Sequence, residues 1–183
     1  MPSKKITMQV KRVFLIGYMG AGKTTAGRIL ARRMNLNYID TDYFIENRYH
    51  RRISEIFASE GETYFREMEQ RVLLEISEYE DVIISTGGGL PCFNGNMTLM
   101  NHTGVTVYLD VPAAELATRL EKSLTLRPVL KQRAGDELVD FIKESLSTRK
   151  PFYEQAKIWI QTEKMNNDIE ILVDELESLL NQQ

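Results

Sequence analysis

Val13-Phe14-Leu15-Ile16-Gly17-Tyr18-Met19-Gly20-Ala21-Gly22-Lys23-Thr24-Thr25 decides the fold of this chain. Its first four residues form a short continuous apolar run, which suits a strand covered on both faces in a parallel sheet. The residues that follow match G-x-x-x-x-G-K-[ST] in full. Lys23 to Met34 then places Ala26, Ile29, Leu30 and Met34 on one helical face. Strand, glycine-rich loop and helix in that order make a phosphate cradle. Glycines let the backbone curl so that its N–H groups converge, and the helix start adds its dipole and free N–H groups. Gly20, Ala21, Gly22, Lys23, Thr24 and Thr25 are therefore expected to bind a nucleoside triphosphate. Lys23 would reach the β- and γ-phosphates, and the Thr24 hydroxyl would ligate Mg²⁺. The alternative is a plain glycine-rich turn, against which the matching strand and helix both speak.

Outward from this stretch the alternation continues. Tyr38, Ile39 and Asp40 close a second strand, Val82 to Ser85 form a third, Val105 to Leu109 a fourth and Ile158 to Ile160 a weaker fifth. Between them, Phe65, Met68, Val72, Leu73 and Ile76 recur at helical spacing within residues 63–79. A helix is predicted over 112–121, opening on a proline whose missing N–H is harmless there. Another helical pattern starts at Asp136, and an amphipathic helix closes the chain at about 168–180. The reading is an α/β fold, a doubly wound five-stranded parallel sheet flanked by helices, with ligands at the carboxyl ends of the strands. The length, 183 residues, makes one domain, with its core at about 12–162.

Composition narrows the function classes. With 26 acidic against 23 basic side chains the net charge is -3, whereas a general nucleic-acid binder carries a basic excess. No apolar run approaches a membrane span, and Met1 to Gln9 lacks the apolar middle of a signal peptide. One cysteine, Cys92, rules out an intrachain disulfide framework and fits a reducing compartment. A soluble cytoplasmic protein is expected, without nucleic-acid or membrane partners.

Further motifs stand at the strands' carboxyl ends. Asp40-Thr41-Asp42 closes the second strand, and its two carboxylates are expected to face different partners on opposite sides. One would hold a water of the Mg²⁺ shell, the other a substrate hydroxyl; a solvated turn is the bland alternative. Ser85-Thr86-Gly87-Gly88-Gly89 follows the third strand, and three successive glycines suit a ligand resting on bare backbone. Arg66, in Gly61-Glu62-Thr63-Tyr64-Phe65-Arg66-Glu67, lies near the start of a long helix and carries no weight in isolation. Residues 122–135 are basic, include Arg127 and lack a period. A loop this long is usually functional, and a basic flap over phosphates would exclude water and supply a cation. Arg149-Lys150-Pro151 ends the helical pattern that follows.

Taken together and in this order, GYMGAGKTT, DTD, the FRE arginine, GGG, RPVL in the basic loop and TRKPFY resemble the shikimate kinases, P-loop small-molecule kinases akin to the nucleoside monophosphate kinases. The resemblance covers roughly Arg12 to Thr162. It implies a P-loop kinase fold with a lid at about 122–135 and an acceptor-binding region at about 42–80. It also implies transfer of the γ-phosphoryl of ATP to the 3-hydroxyl of shikimate, with one Mg²⁺ per ATP, in the pathway to chorismate and the aromatic amino acids. It assigns Thr24 as direct Mg²⁺ ligand and Asp40 as ligand through water. Asp42 would take shikimate hydroxyls. Arg66 and Arg149 would clamp the carboxylate beside Gly87, Gly88 and Gly89. Lys23, Asp42 and Arg127 would be catalytic, and Arg127 would reach the phosphates from the lid. Three positions depart from the family pattern: RPVL stands for RPLL, Leu120 occupies the place of an adenine-stacking arginine that Arg119 would replace, and Gln161-Thr162 stands for Asp-Thr. A monomer is expected.

Two other readings compete. A related P-loop enzyme would phosphorylate gluconate or a nucleotide; DTD together with GGG and TRKPFY discriminates against it. A nucleotide-dependent switch without a small acceptor would carry a guanine motif such as N-K-x-D, which does not occur.

Overall fold

The apolar run at residues 13–16 becomes the middle strand of a parallel sheet in the computed structural model, which describes residues 11–122, 134–165 and 168–182. In chain order the elements are β1 (Arg12–Ile16), α1 (Lys23–Met34), β2 (Asn37–Asp40), α2 (Thr41–Tyr49), α3 (Ile53–Ile76), β3 (Val82–Ser85), a 3-10 turn (Leu90–Cys92), α4 (Asn96–Thr103), β4 (Val105–Asp110), α5 (Ala113–Lys122), α6 (Gly135–Tyr153), β5 (Ile158–Gln161), a second 3-10 turn (Thr162–Met165) and α7 (Ile169–Leu180). The strand order is β2-β3-β1-β4-β5. All four pairings are parallel, with Val13 opposite Ile83 on one side and Val105 on the other. This is the doubly wound sheet expected from the sequence.

Alternation along β1 builds both layers of the core. Val13 and Leu15 join Leu30, Leu116, Ile142, Val173 and Leu176, so α1, α5, α6 and α7 cover one face. Phe14 and Ile16 join Ile45, Phe65, Met68, Leu73, Met97 and Tyr153, so α2, α3, α4 and the end of α6 cover the other. A strand covered twice shows no polar alternation, which is why 13–16 reads as an unbroken apolar run. At the sheet's edge β5 alternates instead: Ile158 and Ile160 are buried, Trp159 and Gln161 exposed.

One expectation needs correction. Asp40 and Asp42 do not take opposite sides of a strand, because residues two apart on a strand share one face and because β2 ends at Asp40, with Asp42 in the first turn of α2. Their separate roles arise from a helix cap instead. Arg66 lies near the start of the helical run that resumes after Gly61, where φ 81° and ψ 178° interrupt α3. The predicted lid falls almost wholly on residues 123–133, so Arg127 lies outside the described residues.

Candidate active site

The lysine of the β1–α1 loop is folded onto the loop itself. Lys23 is buried, and its Nζ donates to Gly17 O and Tyr18 O, both at 2.8 Å. Gly20 and Gly22 have φ of 80° and 93°, a left-handed backbone that a Cβ disfavours. Gly22 caps α1, whose first turn holds no acidic side chain. No carboxylate of its own therefore offsets the positive end of this helix, where an anion binds best. Thr24 and Thr25, the next residues, are exposed.

Asp40 divides its two oxygens. Oδ2 accepts from Thr24 Oγ1 at 2.9 Å and from the Tyr38 hydroxyl at 3.4 Å. Oδ1 accepts from the N–H groups of Asp42 and Tyr43 at 3.1 and 3.3 Å, capping α2. A hydroxyl and a carboxylate side by side suit Mg²⁺, a hard cation that takes its remaining oxygens from phosphates and water. Among the described residues no three His, Cys, Asp or Glu side chains gather into a metal centre of their own.

The three glycines after β3 bring the second group of side chains together. A Cβ on Gly87 would stand 2.5 Å from Asp42 Oδ1, and one on Gly89 would stand 2.7 Å from both Nη atoms of Arg66. One on Gly88 would lie 3.3 Å from Met19 N of the phosphate loop, with Arg149 Nη1 at 3.7 Å. Side chains from α2 and α3 and the backbone of the phosphate loop thus approach bare backbone at the three successive glycines, with Arg149 of α6 alongside. Gly87 N–H donates to Thr41 Oγ1 at 2.8 Å, and the Tyr153 hydroxyl donates to Gly88 O at 2.5 Å, so α2 and α6 are both tied to this loop. The Arg149 guanidinium sits 5.2 Å from the centre of the Tyr18 ring, beside the phosphate loop.

Arg66 is held on several sides. Its Nε and Nη2 donate to Glu62 Oε1 at 3.1 and 2.8 Å, its Nη1 to Glu69 Oε2 at 2.5 Å, and the Phe93 ring lies 4.2 Å from the guanidinium carbon. Glu69 is 1% exposed, and burial pushes its carboxyl up to about 7 against the pull of Arg66, with Asp42 and Glu62 adding to the rise. The sequence reading missed Glu62, Glu69 and Tyr153. Glu69 had a signal, for it sits among Phe65, Met68, Val72 and Leu73 on the buried stripe of α3, where a carboxylate needs a partner.

On the far side of the phosphate loop a cavity of about 470 Å³ opens between Gly22, Thr25, Arg119, Thr162, Met165 and the start of α7. Arg119 Nη1 donates to Gly20 O at 3.2 Å and its Nη2 pairs with Glu115. Leu120 packs over Gly20 instead, 3.3 Å from where a Cβ would stand. Of the two neighbouring positions, Arg119 is the one that lines the cavity.

A family model described as Shikimate kinase matches residues 19–180. The chain is 56% identical over 162 residues to a shikimate kinase of Parabacteroides distasonis, across 88% of this chain and 94% of the relative. It is 49% identical to one of Phocaeicola vulgatus, across 93% and 98%. Among solved structures, the shikimate kinase of Bacteroides thetaiotaomicron superposes with a TM-score of 0.89 at 46% identity, covering 93% of this chain and 98% of that one. The Acinetobacter baumannii shikimate kinase in complex with shikimate gives 0.83 at 31%, covering 93% of each. A gluconokinase of Sinorhizobium meliloti, with a TM-score of 0.64 at 16% identity over 94% and 92%, shares the fold alone.

Proposed function

The chain belongs to the shikimate kinase family and is an ATP-dependent kinase, and from that premise we propose how its site carries the γ-phosphoryl of ATP to the 3-hydroxyl of shikimate. The product, 3-phosphoshikimate, serves chorismate and aromatic amino acid synthesis. The observation that carries the assignment is the meeting of Asp42, Arg66 and Arg149 on Gly87–Gly89, next to the phosphate loop. Shikimate is a small anionic ring bearing hydroxyls. It needs guanidinium groups for its carboxylate and an acceptor for its hydroxyls. Arg66 and Arg149 supply the first, with the backbone of Gly87, Gly88 and Gly89 beneath, and Asp42 supplies the second.

On the donor side Gly20, Ala21, Gly22, Lys23, Thr24 and Thr25 take the triphosphate, and the cavity beside Arg119 takes the base. Thr24, with Asp40 acting through a water, would hold Mg²⁺, which would supply positive charge against the phosphates. Phosphoryl transfer passes through a loose transition state, so the protein's work is alignment and charge stabilisation. Lys23 exchanges its contacts with Gly17 O and Tyr18 O for phosphate oxygens, while Asp42 aligns the attacking oxygen. Arg127, named by the family resemblance, would add a second cation from residues 122–135.

No helix among the described residues is long and apolar enough to cross a membrane. A single cysteine, Cys92, fits a reducing compartment, and we propose a cytoplasmic enzyme that acts as a monomer.

The test is an acceptor panel. Purified protein with ATP and Mg²⁺ is expected to phosphorylate shikimate and to leave gluconate and nucleoside monophosphates untouched. Equal turnover of all acceptors, or none with shikimate, overturns the reading.

A further inference from the structure

We propose that Glu62 is an internal stand-in for the acceptor's carboxylate, occupying the edge of Arg66 that the acceptor must take and so setting the acceptor's apparent affinity. This rests on the assignment of Arg66 to the acceptor carboxylate made above.

A guanidinium offers its donors along three edges, and at Arg66 each faces a neighbour. The Nε–Nη2 edge is the side-on fork that matches a carboxylate, and both of its nitrogens donate to Glu62 Oε1. The outer side of Nη1 is taken by Glu69 Oε2. The Nη1–Nη2 end abuts Gly89, where even a Cβ would stand 2.7 Å from both nitrogens. An incoming carboxylate therefore gains a paired edge only by displacing a carboxylate already there.

The two glutamates differ in how readily they leave. Glu69 has a side chain 2% exposed, and moving it would strand a buried group. Glu62 has a side chain 58% exposed, so water receives it on release. It also directly follows Gly61, where the backbone leaves helical geometry and a Cβ would meet nothing within 4 Å. Arg66 itself is 13% exposed and stays in place between Phe93 and Glu69. The side-on fork thus has a fixed donor and a removable acceptor. An ordinary helical pair four residues apart would have the same spacing, but it would not occupy the fork a ligand requires.

The prediction has an unusual sign. Exposed or half-exposed ion pairs are weak, so removing this competitor with Glu62→Gln should lower the shikimate KM by about 1.4- to fivefold, the equivalent of about 0.2–1 kcal/mol. The ATP KM should stay at its original value. Glu67→Gln is the control, because Glu67 lies on the same helix yet pairs with Arg71 at 3.9 Å and not with Arg66. It removes the same charge without opening the fork and should leave the shikimate KM unchanged. A shikimate KM that is unchanged or raised in Glu62→Gln overturns the proposal, as does an equal fall in Glu67→Gln, which would make the effect one of bulk charge. Arg66→Lys separates the two levels of argument, since lysine cannot form the fork. If it leaves the shikimate KM unaltered, the placement of the acceptor is wrong. If it raises that KM while Glu62→Gln does not lower it, only the stand-in role fails.

Discussion

Gly89→Ala tests the acceptor site through its floor. Gly89 has φ -87° and ψ -23°, helical values that alanine adopts without strain. The substitution also removes backbone freedom from the unfolded chain, a gain of up to about 1 kcal/mol that offsets part of the cost of shifting Arg66. The new methyl would nevertheless stand 2.7 Å from Arg66 Nη1 and Nη2 and 3.0 Å from its Cζ. Moving from 2.7 Å to the 3.4 Å of ordinary contact requires a retreat of about 0.7 Å. The guanidinium cannot retreat in its own plane without disturbing Glu69, and Phe93 lies 4.2 Å away across it. Arg66 is then misplaced relative to Arg149 and Asp42. Hydrogen bonds to charged groups contribute about 1.5–3 kcal/mol each, so losing one to the acceptor carboxylate should raise the shikimate KM about 10- to 150-fold. Steady-state kinetics with each substrate varied in turn reads the effect, and a melting curve reads stability. Unaltered shikimate KM with a folded protein would refute the placement of the carboxylate above Gly89. An equal rise in the ATP KM would show that the loop serves both substrates together.

Two further changes probe the phosphate and buried-acid sides. Lys23→Ala is expected to lower turnover at saturating substrates by about 10²–10³-fold, the range for removing one preorganised donor from a transition state; turnover within twofold of the parent refutes its charge role. Glu69→Gln tests the buried carboxyl. Its folded value of about 7 lies above the ordinary 4.5, so the folded state holds the proton more tightly. The resulting stability is fully present below 4.5 and is lost as pH rises through 7. Glutamine cannot ionise, so the parent should weaken relative to Glu69→Gln from pH 5 to pH 8, by about 3 kcal/mol at most. Parallel denaturation midpoints at both pH values would show that Glu69 titrates as an ordinary carboxylate.

What the sequence made legible follows from how each signal arises. Val13–Ile16 was readable because helices cover both faces of β1, leaving no polar position to break the run. The helix α2 was not readable: of Thr41–Tyr49 only Thr41 and Ile45 are buried, so no apolar period exists to find. That omission is why Asp42 was first placed on a strand. The short α4 escaped for a similar reason, since its buried residues are Asn96, Met97 and Met100. At the site, Arg66 was singled out by family pattern and Glu62 by nothing. Its significance lies in a contact four residues along an interrupted helix, and a charged residue at such spacing is ordinarily a surface pair. The purpose of the three glycines was legible in kind, close approach, but not in object. The Asp42 and Arg66 side chains approach Gly87 and Gly89, and the phosphate-loop backbone at Met19 approaches Gly88.

A net charge of -3 conceals a cationic site, and the structure explains how that site stands without ligand oxygens. Cations withdrawn from water need compensation, and here it is internal. Lys23 is satisfied by Gly17 O and Tyr18 O, Arg66 by Glu62 and Glu69, and Arg119 by Gly20 O and Glu115. Substrate binding is then an exchange, in which phosphate and carboxylate oxygens replace oxygens of the protein. Affinity measures the difference between the two sets, not the strength of the new contacts. The two carbonyls that accept from Lys23 Nζ are neutral, so exchanging them for phosphate oxygens adds charge pairing at those two contacts. The carboxylate on the fork of Arg66 carries the same charge as the acceptor, so exchange gains little beyond what release of Glu62 to water returns. The acceptor's KM should therefore be the parameter that single carboxylates on α3 tune.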